Sequence, residues 1–251
     1  SLGLSYTSPT SLSYKNGKAR MDMTSQLNDA FGKAVQGVML QNPGMTPEQA
    51  RTAVMQMFAG MGIDLAQGVI ADYDLETKLR FPQSIGFGAS FTLLDNVRMA
   101  MDVEWINWAD AFDKMSLSLS AGNNANVNRM LGSTGELSLE FPMNWEDAIM
   151  VRLGTEVDVN SSLTLRAGGA FGTNPVPAST VFPVFPAIVE NHVTFGATVK
   201  VLQPLAIHAA VEHAFNNRET ASSMSVLARE YDYSISQLSE NIFHLSLTWA
   251  L

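Results

Sequence analysis

The charged side chains that could do chemistry in this chain recur at alternate positions. Arg80, Arg98, Glu104, Arg152, Arg166 and Lys200 each sit between two apolar neighbours in an extended run, and Asp74 and Asp102 follow the same rule. Such a set could line a polar route or lock into ion pairs. Buried charges persist only when paired, and both signs are present, so both readings stay open. The histidines offer less. His192, His208, His213 and His244 contain no H-x-x-x-H spacing, and His208 and Glu212 share a strand face while lying about 13 Å apart along it. Serines are plentiful, yet none stands in a triad or zinc pattern. A Ser-His-acid hydrolase is thus an alternative that no particular serine supports, and no metal or cofactor is expected.

The element that must position those charges is extended. From Tyr73 to Leu93 the odd positions include Tyr73, Leu75, Leu79, Phe81, Ile85, Phe87, Phe91 and Leu93. The even positions carry Asp74, Glu76, Lys78 and Arg80, then serines, glycines and Thr92. Only a strand sorts side chains with a period of two. The run reads as one long strand. Its apolar face needs an apolar neighbour, and its charged face has small residues, as a crowded or wet interior requires.

Composition narrows the surroundings. A net charge of −9 leaves no basic stripe to neutralise phosphates, so nucleic acid is not an expected partner. There are no cysteines, which removes disulfides and thiolate sites. No apolar run reaches the roughly 18–20 residues of a membrane helix, but a barrel strand needs only about 9–11 alternating ones. The chain opens within a strand and without a signal peptide, as a processed or truncated chain would.

In order, Leu2 to Tyr14 reads as the first strand, interrupted by Pro9, with a turn or bulge at Asn16-Gly17. The period then becomes helical. Phe31, Val35, Val38 and Met39 recur after Thr24-Ser25, read as an N-cap. Thr46-Pro47-Glu48-Gln49 has the form of a capping box with proline at the first helical position, and opens a second helix carrying Val54, Met57, Phe58 and Met61. The spacing predicts a helical hairpin inserted at about residues 24–70. These eight apolar residues could form an adaptable capture site, since methionine is flexible and polarizable. They could equally be the packing between two helices.

After the long strand, alternation resumes at 97–105, 115–119, 137–159 (with a stutter at 146–148), 163–171, 193–201, 205–215 and 243–251. A bulge is expected near 106–112. Loops are expected at 122–135, 174–190 and 216–240. Turns at Asp95-Asn96, Asn160-Ser162 and Gln203-Pro204 are short. Short and long connections alternate, and about eight strands result. That is the build of an all-β, antiparallel, up-and-down transmembrane barrel. The apolar residues would face lipid, with Trp105, Trp145, Phe215 and Trp249 as an aromatic girdle, and the charges would face the lumen.

Several segments, in order, resemble the C-terminal part of the FadL/TodX (OmpP1) family of outer-membrane transporters. They are Gly3-Leu4-Ser5-Tyr6-Thr7-Ser8, Asp102-Val103-Glu104-Trp105 with Asn107-Trp108, and Trp145 to Gly154. The most specific is Leu163-Thr164-Leu165-Arg166-Ala167-Gly168 followed by Asn174-Pro175-Val176-Pro177. The resemblance implies a monomeric, fourteen-stranded barrel with an N-terminal hatch, of which this chain holds about eight strands. It implies a bacterial outer-membrane location, outer-membrane lipid around the barrel, and diffusion of hydrophobic compounds such as long-chain fatty acids or aromatic hydrocarbons. The hairpin would lie outside the cell. The chain departs from the family at Leu251, where an aromatic residue is usual, and it has no cation at Phe141-Pro142-Met143, the neighbourhood where a member of the family places a carboxylate-binding lysine. A general pore without a specific ligand is the other reading; the methionine-rich insert argues against it.

Overall fold

Alternating side chains must pair into sheets, and the computed structural model, which describes residues 1–183, 186–223 and 231–249, contains two of them. The strands in chain order are β1 (Leu2–Thr7), β2 (Thr10–Asp22), β3 (Ile70–Phe81), β4 (Ser84–Leu94), β5 (Val97–Ile106) and β6 (Lys114–Ser120). They continue as β7 (Leu137–Pro142), β8 (Ala148–Asp158), β9 (Leu163–Gly172), β10 (Asn191–Leu202), β11 (Leu205–Thr220) and β12 (Ile235–Trp249). Eight form one antiparallel sheet in the order β1-β4-β5-β8-β9-β10-β11-β12. The other four form β2-β3-β6-β7.

The eight-stranded sheet is the expected meander. Its short connections are those at Asp95-Asn96, Asn160-Ser162 and Gln203-Pro204; every other connection is long. Register keeps the two faces chemically separate. Leu4 stands opposite Phe87, Phe87 opposite Val103, Val103 opposite Val151, and Val151 opposite Phe171. On the other face Thr92 stands opposite Arg98, Arg98 opposite Glu156, and Glu156 opposite Arg166. A slip of one residue would invert both rows. Among the described residues β1 and β12 are edges, each paired on one side only.

Where sequence periodicity continues but a proline intervenes, the expected strand is two strands. The run from Tyr73 to Leu93 breaks at Pro82-Gln83, and its halves, β3 and β4, lie in different sheets. Pro82 lacks the N–H that a central strand must donate. Pro9 divides the first strand in the same way, into β1 and β2. The expected strand at 137–159 likewise separates into β7 and β8, in different sheets. Between β5 and β6 the expected bulge is a short helix, and the expected loop at 122–135 also contains one. The Asn16-Gly17 signal is no turn. β2 runs through it, with Asn16 at φ 62°. Gly17 allows a close approach there, since a Cβ would lie 3.0 Å from the Leu75 carbonyl oxygen. β11 reaches Thr220, past the start of the expected loop, and β12 begins at Ile235. Leu251 lies outside the described residues.

The helices are α1 (Thr24–Gln41), α2 (Pro47–Gly60), α3 (Trp108–Ala111) and α4 (Ala125–Met130). The capping box at Thr46 is present, with both reciprocal bonds to Gln49. At α1 the expected cap is not. Thr24 is already helical, and its N–H is accepted by the Asp22 carboxylate at 2.9 Å.

The chain divides into two compact units. One holds Ser1–Ser11, Arg80–Met115 and everything described from Phe141 onward; the other is Leu12–Leu79 with Ser116–Glu140. The second has an ordinary core of Leu27, Val54, Phe58, Val69, Ala71, Tyr73, Leu119 and Val127.

Candidate functional site

On the polar face of the eight-stranded sheet, the charges project from neighbouring strands at one register and so meet in pairs. Arg152 Nη1 donates to Asp102 Oδ1 at 2.8 Å, and its Nη2 donates to Glu104 Oε2 at 2.8 Å. Glu156 takes Arg98 on one side and Arg166 Nε, at 2.5 Å, on the other. The Arg166 guanidinium also donates to Thr198 Oγ1 at 2.6 Å, and Thr198 meets His208 Nδ1 at 2.8 Å. His208 Nε2 then reaches Thr248 at 3.0 Å. A continuous polar band thus crosses from β5 to β12. A second cluster sets His192 Nδ1 2.7 Å from Glu212, with His244 3.9 Å from the other carboxylate oxygen. A hollow of about 890 Å³ lies on this face, lined in part by Arg98, Asp102, Arg152, Glu156, Arg166 and His192.

Four of the six charges singled out in the sequence, Arg98, Glu104, Arg152 and Arg166, belong to this network. Arg80 does not: at the end of β3, it pairs with Asp110 of α3 at 2.6 Å. Lys200 stands opposite Ala206, beside the Gln203-Pro204 turn, with no ion-pair partner among the described residues.

The eight apolar residues of the helical hairpin separate into two groups. Val54 and Phe58 are buried in the core of their unit, and Phe31, Val35 and Val38 pack against it half-buried. The rings of Phe31 and Phe58 lie 5.8 Å apart. Met39 is half-buried, outside that cluster. Met57 and Met61 are 46% and 48% exposed. Met55, which α2 also exposes, lines a groove of about 380 Å³ with Ala59, Gly62, Ile63, Leu65 and Ala66.

Sequence patterns did not assign a bracing role to the residues that hold this unit together. Asn126 is buried, and its side chain donates to the carbonyls of Asp64 (2.6 Å) and Gly68 (2.8 Å) and accepts from the Asp64 N–H. Tyr73 is buried and donates to Asn128 Oδ1 at 2.9 Å; burial pushes its phenol above the usual value. The guanidinium of Arg20, bonded to the Asp72 carboxylate at 2.8 Å, holds that carboxyl below its usual range. The only warning in the sequence is the run of asparagines at 123–128, a residue type suited to bonding nearby backbone.

Trp145, expected in a lipid-facing girdle, is only 5% exposed. It stacks on Phe112 at 4.6 Å and meets Trp108 edge-on at 5.2 Å. Trp105 is half-buried, its indole N–H donating to Asp147 at 3.1 Å. Phe215 and Trp249 are exposed.

A family model described as outer membrane protein transport protein (OMPP1/FadL/TodX) matches residues 2–243. Among solved structures, the P. putida toluene transporter TodX shares 21% identity at a TM-score of 0.54, over 72% of this chain and 37% of that one. A Pseudomonas aeruginosa FadL homologue shares 16% at a TM-score of 0.59, over 99% and 48%. The CymD monoaromatic hydrocarbon channel shares 15% at a TM-score of 0.52, over 75% and 41%. At these identities the likeness is one of fold, and this chain spans less than half the length of each. No curated protein sequence matches it.

Proposed function

Since the chain belongs to the outer membrane protein transport protein family (OMPP1/FadL/TodX), we propose that its eight-stranded meander is part of a larger barrel passing hydrophobic small molecules across the bacterial outer membrane. One observation carries the reading: the sheet leaves its large apolar side chains exposed on one face while its charges pair on the other. Phe87, Leu153 and Phe195, on strands paired at both sides, are 56%, 50% and 60% exposed. In water such a face would be an aggregation surface; in lipid it is the required outer surface of a barrel. Apart from the short β1, the strands of the sheet have 10 to 16 residues, and a tilted span needs about 9–11.

In this reading Arg98, Glu104, Arg152 and Arg166 line the lumen, with Arg80 and Lys200 toward its two ends. The short turns face the periplasm. The helical unit lies outside the cell, where Met57 and Met61, and the groove beside Met55, meet the incoming ligand. Phe31, Val35, Val38, Met39, Val54 and Phe58 support that surface from beneath. The ligand is a long-chain fatty acid or an aromatic hydrocarbon, the complete protein is a monomer, and its role is passage, not catalysis.

The test is uptake by liposomes holding the full-length protein, with a radiolabelled long-chain fatty acid and, separately, a radiolabelled aromatic hydrocarbon. Uptake of at least one, above protein-free liposomes, is the expected result; uptake of neither overturns the reading. Replacing Met57 and Met61 together by serine is expected to slow uptake while the barrel stays folded. Unchanged uptake removes the helices from the ligand's path. Phe58 is a poor site for that test, because its substitution would dismantle the core beneath.

A further inference from the structure

Three separate segments close on the aromatic cluster around Trp145. Trp108 and Phe112 come from α3 and its end, Met143 and Trp145 from the link between β7 and β8, and Val176 and Val181 from the strap between β9 and β10. Among the described residues, hydrogen bonds tie the strap to its surroundings at Asn174, Pro175, Ala178 and Thr180. Pro175 accepts from the Glu146 N–H at 2.8 Å, Thr180 Oγ1 donates to the Met143 carbonyl at 2.6 Å, and Ala178 accepts from the Ser222 N–H at 2.9 Å. Beneath it, the indole N–H of Trp145 is buried and has no hydrogen-bond acceptor among the described residues. Buried donors are nearly always satisfied, and one left alone calls for an explanation. The neighbouring Trp105 shows that this part of the chain can satisfy an indole, since Asp147 does so there.

We propose that this cluster is a binding site for an uncharged aromatic molecule carrying one hydrogen-bond acceptor, such as an aryl ketone. The 174–181 strap would be its cover, with Val176 and Val181 filling the site when it is empty. Phe112 stacks on Trp145 and Trp108 meets it edge-on, so the ligand's ring would join an existing aromatic group in the offset and edge contacts such rings prefer. Methionines 115 and 143 supply adaptable apolar walls. A charged side chain beside the cluster is itself a carboxylate, Asp147, which accepts from the Trp105 indole and the Ala109 N–H, so a ligand carboxylate would meet like charge there and not a counter-charge. The ligand's acceptor takes the Trp145 N–H, which then gains the partner it lacks. Binding here is measured at equilibrium and needs no passage, so this proposal and the transport reading fail separately.

The experiment compares two probes of nearly equal shape, acetophenone and ethylbenzene, binding to the full-length protein in detergent. Acetophenone is expected to bind about tenfold more tightly, the weight of one hydrogen bond. Trp145→Phe keeps an aromatic ring, though a smaller one, removes the donor and should erase that difference. Thr180→Val loosens the strap and should tighten both probes, because the open state is then less costly to reach. A wild-type protein that does not distinguish the probes, as when a bound water already satisfies the indole, overturns the proposal. So does a Trp145→Phe variant that still distinguishes them. Should that variant fail to fold, the wild-type indole resonance decides. At saturation the Trp145 N–H signal moves downfield with acetophenone, as a newly hydrogen-bonded indole does, and lacks that downfield shift with ethylbenzene if the site is real; the same shift with both probes, or no movement with acetophenone, overturns it.

Discussion

The two units of this chain sort polarity in opposite ways. In the helical unit, Val54, Phe58, Val69 and Val127 are buried, and the pairs Lys18–Asp74 and Arg20–Asp72 lie exposed. In the eight-stranded sheet, Phe87, Leu153, Phe243 and Leu245 are exposed, and Arg152 and Glu156 turn to the opposite face to find partners. On the proposed reading, one chain with one set of side-chain preferences obeys two rules because it meets two solvents. Water drives apolar groups together. Lipid offers them no penalty outside and penalises every unpaired polar group instead.

The contrast can be broken most directly at Phe58. Phe58→Ala should cost the helical unit about 3–5 kcal/mol, the usual price of emptying an aromatic site in a packed core. Denaturant unfolding followed by helix circular dichroism measures it, and a loss under about 1 kcal/mol would contradict a water-type core. In the sheet, Leu153→Arg should cost about 2–4 kcal/mol if the proposed reading holds, since Leu153 lies midway along β8, which that reading sets near the bilayer midplane. Refolding into lipid vesicles at graded urea reads this directly. A near-neutral result, as at an ordinary water-facing position, would show that the apolar face is not in lipid.

Two smaller effects belong to the helical unit alone. Tyr73 has its pKa raised by burial, so its neutral form is favoured in the folded state. That stability is fully present below about pH 10 and is lost as pH rises through the raised value. Tyr73→Phe should flatten the alkaline fall in melting temperature, and an identical alkaline profile in the two proteins would refute the assignment. Asp72 is displaced downward, chiefly by its hydrogen bond from Arg20. Its contribution is present above about pH 3.9 and disappears as pH falls through the depressed value. Because the pair is solvent-exposed, Asp72→Asn should leave the neutral-pH melt almost unchanged and blunt only its acid end, as a pH series of melts would show.

Local signals determined much of this protein. The period of two named the strands and separated the charged face from the apolar one, because a strand alternates whatever its partner is. Asp95-Asn96, Asn160-Ser162 and Gln203-Pro204 placed the short turns, and Thr46 to Gln49 placed the start of α2, because turns and caps are contacts within a few residues. The fold class and the alternation of short with long connections followed. Tertiary structure decided which sheet each strand joins. β3 and β4 share one pattern yet part at Pro82, since a period of two carries no information about the neighbour a strand will pair with. It decided that Phe58 lies inside and Met57 outside, although both are apolar and adjacent, because helix packing chooses a face from a partner distant in sequence. It also put Trp145 under the 174–181 strap and Asn126 beneath residues 64–68. Those placements come from long-range closure, in which segments many residues apart supply each other's missing contacts, and no local pattern records them.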